Sequence, residues 1–265
     1  MGSGGKAARK IYAKDPIHEA LCEFHFSQPS EGWIAMPFKI QERLRFRYPN
    51  DPISDVQAMP VPMSVGPQMI AAPITLGMSN SGRLRFVGED NRNLLLVSPG
   101  LIGVSAVAPY AGWPVLKERV GEALRAVSDV CNGKFSISRI GVRYINRVVA
   151  PVESVGDFFE LTPLSFGDVD VTTKSFVSRS EMRVEDDDNR VLIAMFATAF
   201  DAAGSKSVIL DLDAIAQNLG DVVTVEQAMA LVEELRVFER QAFESAIKES
   251  ARTELFGGYS EENDD

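Results

Sequence analysis

Residues 17–26 alternate along the chain. Ala20, Cys22, Phe24 and Phe26 fall on one side, and Glu19, Leu21, Glu23 and His25 on the other. A period of two with one apolar side predicts a half-buried β-strand. The pattern changes after the turn cluster Gln28-Pro29-Ser30-Glu31-Gly32. Ile40, Leu44 and Tyr48 then recur at helical spacing, which predicts a short helix over 38–48 that Pro49 ends. Residues 51–82 are rich in Pro, Met and Gly, and predict irregular strands with a turn at 79–82. Strands follow at 84–87 and 94–107, the second bulged near Pro99-Gly100. Val115, Leu116, Val120, Leu124 and Val127 line one side of a helix over 113–130, which Asn132-Gly133 stops.

The pattern then restarts. Residues 135–149 form a long alternating strand, 155–161 a short helix, 171–184 and 191–199 a hairpin, and 207–212 another strand. Asp213 is expected to start a turn or cap the short segment 214–219. A final helix runs over 224–256, with Thr224 and Gln227 in a capping-box arrangement. Leu231, Leu235, Phe238, Ala242, Phe243, Ile247 and Leu255 form its apolar stripe, and Gly257-Gly258 ends it.

The two halves share a phrase. Arg85-Phe86-Val87 runs through Gly88-Glu89-Asp90-Asn91-Arg92 into an apolar strand. Arg183-Val184 runs through Glu185-Asp186-Asp187-Asp188-Asn189-Arg190 into another. Self-similarity of this kind points to internal repetition. The expected fold is therefore α+β: a pseudo-duplicated β-α-β(n)-α unit forming one curved antiparallel sheet, with two long helices packed on it. The expected organisation is a disordered or tag-like stretch at 1–10, a single domain at 11–258 with halves 11–133 and 134–258, and an acidic disordered tail at 259–265. Two independent domains divided near Gly133 are the alternative. One shared sheet is preferred, because an isolated half has a single long helix to cover four strands.

Charge and composition narrow the function classes. A net charge of −10 over 265 residues opposes unaided binding to duplex DNA or anionic membranes. Cys22 and Cys131 are too few for a disulfide framework and read as reduced thiols. Residues 1–10 lack the apolar core of a secretory signal, and no apolar run approaches the roughly 18 residues that span a bilayer. The expected location is cytoplasmic.

Arg139, Arg143 and Arg147 share one face of the strand over 135–149, with Tyr144 and Asn146 on the other. Three guanidinium groups in line can bind a phosphate or carboxylate. The structural alternative is that Glu19 and Glu23, on a neighbouring strand, pair with them, each pair contributing roughly 0.2–1 kcal/mol. Tyr144 and Asn146 are expected to hydrogen-bond a neighbouring helix or loop, or to contact a ligand. Asp186, Asp187 and Asp188 read as a solvated turn. His18 and His25 project to opposite faces and cannot share a metal. No P-loop, GxSxG, HExxH or CxxC pattern occurs. No catalytic constellation, cofactor or metal is expected.

The stretch Pro16-Ile17-His18-Glu19-Ala20-Leu21-Cys22-Glu23-Phe24-His25-Phe26 resembles a sporadically distributed bacterial family of uncharacterised proteins. The similarity continues at Arg139-Ile140-Gly141-Val142-Arg143-Tyr144-Ile145-Asn146 and ends at Ala242-Phe243 and Phe256-Gly257. At position 25 the family pattern implies a basic residue such as Arg, and this chain has His. The resemblance implies no activity. Its patchy distribution is similar to that of mobile defence or toxin-linked genes.

Three function classes follow. The first is a non-enzymatic protein-interaction or scaffold module, within a bacterial defence or toxin-neutralising system, with Met59, Met63 and Met69 as adaptable contacts for a protein partner. The second is a small anionic ligand sensor or enzyme with a pocket between sheet and helices, using Arg139, Arg143, Arg147, Tyr144 and Asn146. The third is nucleic-acid binding through the sheet, which the acidic balance opposes. A homo-oligomer is compatible with each.

Overall fold

The computed structural model describes residues 9–27, 36–54, 83–161, 163, 171–200 and 206–262. In chain order, β1 (Arg9–Tyr12) and β2 (Ile17–Phe26) lead to α1 (Met36–Arg43) and the two-residue β3 (Ile53–Ser54). Then come β4 (Leu84–Val87), β5 (Asn93–Ser98), β6 (Leu101–Val107) and α2 (Trp113–Val130). The chain continues with β7 (Ile137–Val148), α3 (Val155–Phe158), β8 (Val177–Val184), β9 (Asp187–Phe200) and β10 (Lys206–Val222), and closes with α4 (Val225–Ala246) and β11 (Tyr259–Glu262). The fold is α+β: nine strands form one antiparallel sheet in the order β3-β4-β5-β6-β2-β7-β10-β9-β8.

β2 and β7 lie side by side in the middle of this sheet, with Ala20 opposite Tyr144, Cys22 opposite Val142 and Phe24 opposite Ile140. Strands from both parts of the chain therefore share one sheet. Period-two alternation gives the sheet two chemically different faces. Phe24, Val104, Ile140 and Ala214 point to the side covered by α2 and α4, where they are buried with Leu116, Leu124, Val232 and Leu235. Each fully buried Val, Leu, Ile or Phe side chain stabilises the fold by about 1.5–3 kcal/mol. Leu21, Glu23, Arg143 and Asp211 alternate with these residues and belong to the opposite face.

Several boundaries differ from the sequence expectation, each for a visible reason. Residues 94–107 are a hairpin, β5 and β6, turned at Pro99-Gly100; Leu96 pairs with Gly103 and Ser98 with Leu101. Asp213 does not end a strand. β10 continues through it because its carboxylate faces Arg139, while Ala214 and Ala216 keep the buried alternation. α4 carries the expected Thr224–Gln227 capping box but ends at Ala246. Ile247 is extended and bridges to Phe159, which docks the segment after α4 onto α3.

The chain ends also depart from expectation. Arg9 and Lys10, expected in a disordered or tag-like stretch, and residues 259–262, expected in a disordered tail, form a two-stranded ladder. In its register Arg9 is opposite Glu262 and Lys10 opposite Glu261, and Lys10 Nζ lies 4.6 Å from the Tyr259 ring centroid. The Pro/Met/Gly-rich stretch with Met59, Met63 and Met69, and the turn clusters 28–32 and 79–82, lie outside the described residues.

Candidate functional site

The arginine ladder is the first place to look for chemistry, and the structure commits it to the protein's own carboxylates. Arg143 donates to Asp211 through Nε (2.7 Å) and Nη2 (2.5 Å). Burial opposes a charged guanidinium, but the bonds and charge of Asp211 hold the Arg143 pKa above its usual value. Arg139 donates to Glu23 (3.3 Å) and approaches Asp213 (3.6 Å). Arg147, at the exposed end, donates to Ser207. Glu23 also accepts from Arg83 at 2.8 Å and lies 2.6 Å from His25 Nε2.

His25 Nε2 is also 2.8 Å from Arg139 Nη1. One ring nitrogen cannot both donate to a carboxylate and accept from a guanidinium. With its proton on Nε2 the ring donates to Glu23; with the proton on Nδ1 alone, Nε2 accepts from Arg139. Burial would raise the Glu23 pKa; the His25 hydrogen bond and the Arg83 charge outweigh it and hold the carboxyl at about 2. Asp213 goes the other way. Burial dominates over Arg139 and Arg143 and pushes its carboxyl up to about 6. The expected Glu23–Arg139 pairing is present, whereas Arg143 is paired with Asp211 and Glu19 accepts from Ser105.

Tyr144 and Asn146 project to the other face of β7, so the five residues proposed from sequence as one ligand set are divided by the sheet. They line a cavity of about 130 Å³ between the sheet, the start of α2 and the middle of α4. From α4 come Arg236, Glu239, Arg240, Phe243 and Glu244, spaced so that they share one helix face. Tyr110 and Trp113 close one side, and the chain from Lys10 to Ile17 the other. Gly112 caps α2 with φ 97° and ψ 163°, a conformation open to glycine, and so aims Trp113 inward.

Most polar groups around the cavity are held in place. Trp113 Nε1 donates to Glu233 (3.2 Å), and the Arg236 guanidinium stacks 5.0 Å from the Trp113 ring centroid. Tyr12 donates to Glu244 (2.8 Å), which also accepts from Arg252. The Tyr144 and Tyr110 hydroxyls are 3.3 Å apart, and burial pushes the Tyr144 pKa up. Asn146 Nδ2 donates to Leu210 O on the adjoining strand, not to a helix or loop. That bond uses one of its two N–H donors, and the side chain also carries an amide oxygen acceptor.

Glu239 is the exception. It is only 4 % exposed, and its Oε1 has no hydrogen-bond partner. Burial pushes its carboxyl well above the usual carboxylate range, against the pull of the Arg236 and Arg240 charges. A buried carboxyl without a partner carries a free-energy cost that a donor in the cavity would relieve. Glu239 and Arg236 match no motif that marks them in the sequence. Their signal was positional: the buried side of α4 runs Ala228, Val232, Leu235, Arg236, Glu239, Phe243 and Ala246, so two charged residues interrupt an apolar stripe.

No protein-family model matches this chain, and no curated protein matches it. Among the described residues no group of three or more His, Cys, Asp or Glu is placed to hold a metal ion, and no helix is long and apolar enough to cross a membrane.

Proposed function

We propose that the protein binds a small organic molecule in the cavity between α4 and the sheet, as a ligand sensor. The observation that carries this reading is Glu239, a buried carboxyl in the lining of the cavity whose Oε1 has no hydrogen-bond partner. Aromatic walls with a few placed polar groups are the usual construction of such a site. The test is native mass spectrometry of the full chain isolated gently from its own cells. A retained small-molecule mass, lost in Asn146→Leu with thermal stability kept, is the expected result. A bare protein that also gives no signal in a ligand-observed fragment screen overturns the reading.

The strand order supports a duplicated unit as the framework. Outward from the centre, β2, β6, β5 and β4 are matched by β7, β10, β9 and β8, and each set ends in its own long helix. The turns β4–β5 and β8–β9 each contain a residue of positive φ, Asn91 at 55° and Asp186 at 64°. On this reading each half supplies one wall of the cavity: α2 closes it from the first, and α4 with β7 from the second.

A second reading, an interaction module, is favoured by β8. This terminal strand is exposed from Val177 to Arg183. Thr198 N donates to Phe176 O, so the in-register pairing turns the backbone groups of Val177, Arg179, Glu181 and Arg183 outward. Such an edge suits strand addition, and its occupant is a second copy of this chain. Antiparallel self-pairing about Ser180 sets Arg179 of one copy against Glu181 of the other, twice. Light scattering tests this. The expected result is a dimer that Glu181→Arg dissociates and the exchange Arg179→Glu with Glu181→Arg restores. A wild-type monomer at high concentration overturns it.

A further inference from the structure

Resting on the ligand-binding reading, we infer that the cavity takes a small molecule with a cationic nitrogen head, bearing two or more N–H donors, on a flat apolar body. Amidines, guanidines and protonated amino-heterocycles share this chemistry.

The head is defined by what the cavity lacks. Glu239 lines the cavity with an oxygen that has no donor, and Asn146, which spends one of its two N–H donors on Leu210 O, adds an amide oxygen, so each brings an oxygen acceptor. A carboxylate accepts two parallel N–H bonds from an amidinium or guanidinium, a geometry stronger than a single neutral bond. The arriving cation also compensates the burial that opposes Glu239 ionisation. The two neighbouring arginines do not already satisfy it. Arg236 lies against Trp113 and 3.9 Å from Glu233, and neither guanidinium reaches Oε1.

The body is defined by the walls and the volume. Tyr110, Trp113 and Tyr144 line one space. Aromatic faces attract cations and stack on flat groups. About 130 Å³ is near the size of an engineered cavity of about 150 Å³ that holds one benzene ring. A single ring with its head therefore fits, and a nucleotide does not.

Benzamidine and benzoate decide the point, because they match in size and shape and differ in the sign of the head. Calorimetric titration of the full chain is expected to show benzamidine binding and benzoate not binding. Glu239→Gln, which removes the charge with little change in shape, is expected to weaken benzamidine at least tenfold. Titration in buffers of different ionisation enthalpy is expected to show proton release on binding, as Glu239 ionises among Arg236 and Arg240 of its own helix, Tyr144 of β7 and Asp211 of β10. Benzoate binding in preference to benzamidine would overturn the cationic class and leave the cavity as an anion site built on Arg236 and Arg240. Benzamidine binding unchanged in Glu239→Gln would also overturn it. If neither probe binds and nothing is retained in native mass spectrometry, the ligand-binding reading fails with it.

Discussion

Arg143 grips Asp211 with two hydrogen bonds across β7 and β10, on the face of the sheet opposite α2 and α4. Asp211 is 4 % exposed, so the pair is a buried one. Removing one partner strands the other charge, and such losses typically cost about 3–5 kcal/mol. Arg143→Met is therefore expected to lower the urea midpoint severely. The double variant Arg143→Met with Asp211→Leu is expected to recover most of the loss, because it leaves no lone charge. A double-mutant cycle by urea unfolding measures this directly.

The same face gives the protein an asymmetric response to acid. The folded Glu23 pKa, about 2, lies below its ordinary value of 4.5. Its contribution is therefore present above pH 4.5 and lost as pH falls toward about 2, a span worth roughly 3 kcal/mol. The folded Asp213 pKa, about 6, lies above its ordinary 3.8. Its contribution is full below pH 3.8 and lost as pH rises through about 6. Urea midpoints against pH are expected to show the acid limb flattened in Glu23→Gln. Asp213→Asn is expected to remove the decline between pH 3.8 and 6.

Tyr12 ties the chain start to α4. Its hydroxyl donates to Glu244, and its ring packs edge-on against Phe256 at 5.1 Å. Tyr12→Phe keeps the ring and removes the donor. A hydrogen bond to a charged group contributes about 1.5–3 kcal/mol. The expected loss is toward the lower end, because Arg252 continues to hold Glu244. Hydrogen exchange is expected to rise first in the β1–β11 ladder, which forms one side of the cavity.

The sheet was legible because β2 and β7 alternate strictly, and α2 because its apolar side runs unbroken from Leu116 to Val127. What escaped was set by long-range partners. The pairing of Lys10 with Glu261 is invisible in either short segment read alone. β10 reads as a strand and a turn until Asp213 is placed beside Arg139, 74 positions earlier in the chain. The cavity was half legible. Tyr144 and Asn146 stand out as polar residues on an apolar face, but Glu239, which lines the same cavity, lies on a helix whose apolar residues in sequence mark a stripe about one position to the side of the buried one.

Two glycines separate the roles of the two faces. Gly112, at φ 97°, holds the turn that starts α2 and places Trp113 beside the cavity. A Cβ there has room, since the nearest atom is 3.8 Å away, so Gly112→Ala is costly through backbone strain of about 1–3 kcal/mol. The strain is relieved by shifting Trp113, and binding in the cavity is expected to weaken with stability. Gly141 sits on the opposite face, where a Cβ would stand 3.1 Å from Asp213 Oδ1. Gly141→Ala is expected to cost about 1–3 kcal/mol by overpacking and to alter the Asp213 titration. Affinity for a cavity ligand is expected to stay unchanged in that variant. Unfolding and benzamidine titration of the two variants side by side check the assignment, and equal losses of affinity in both would refute it.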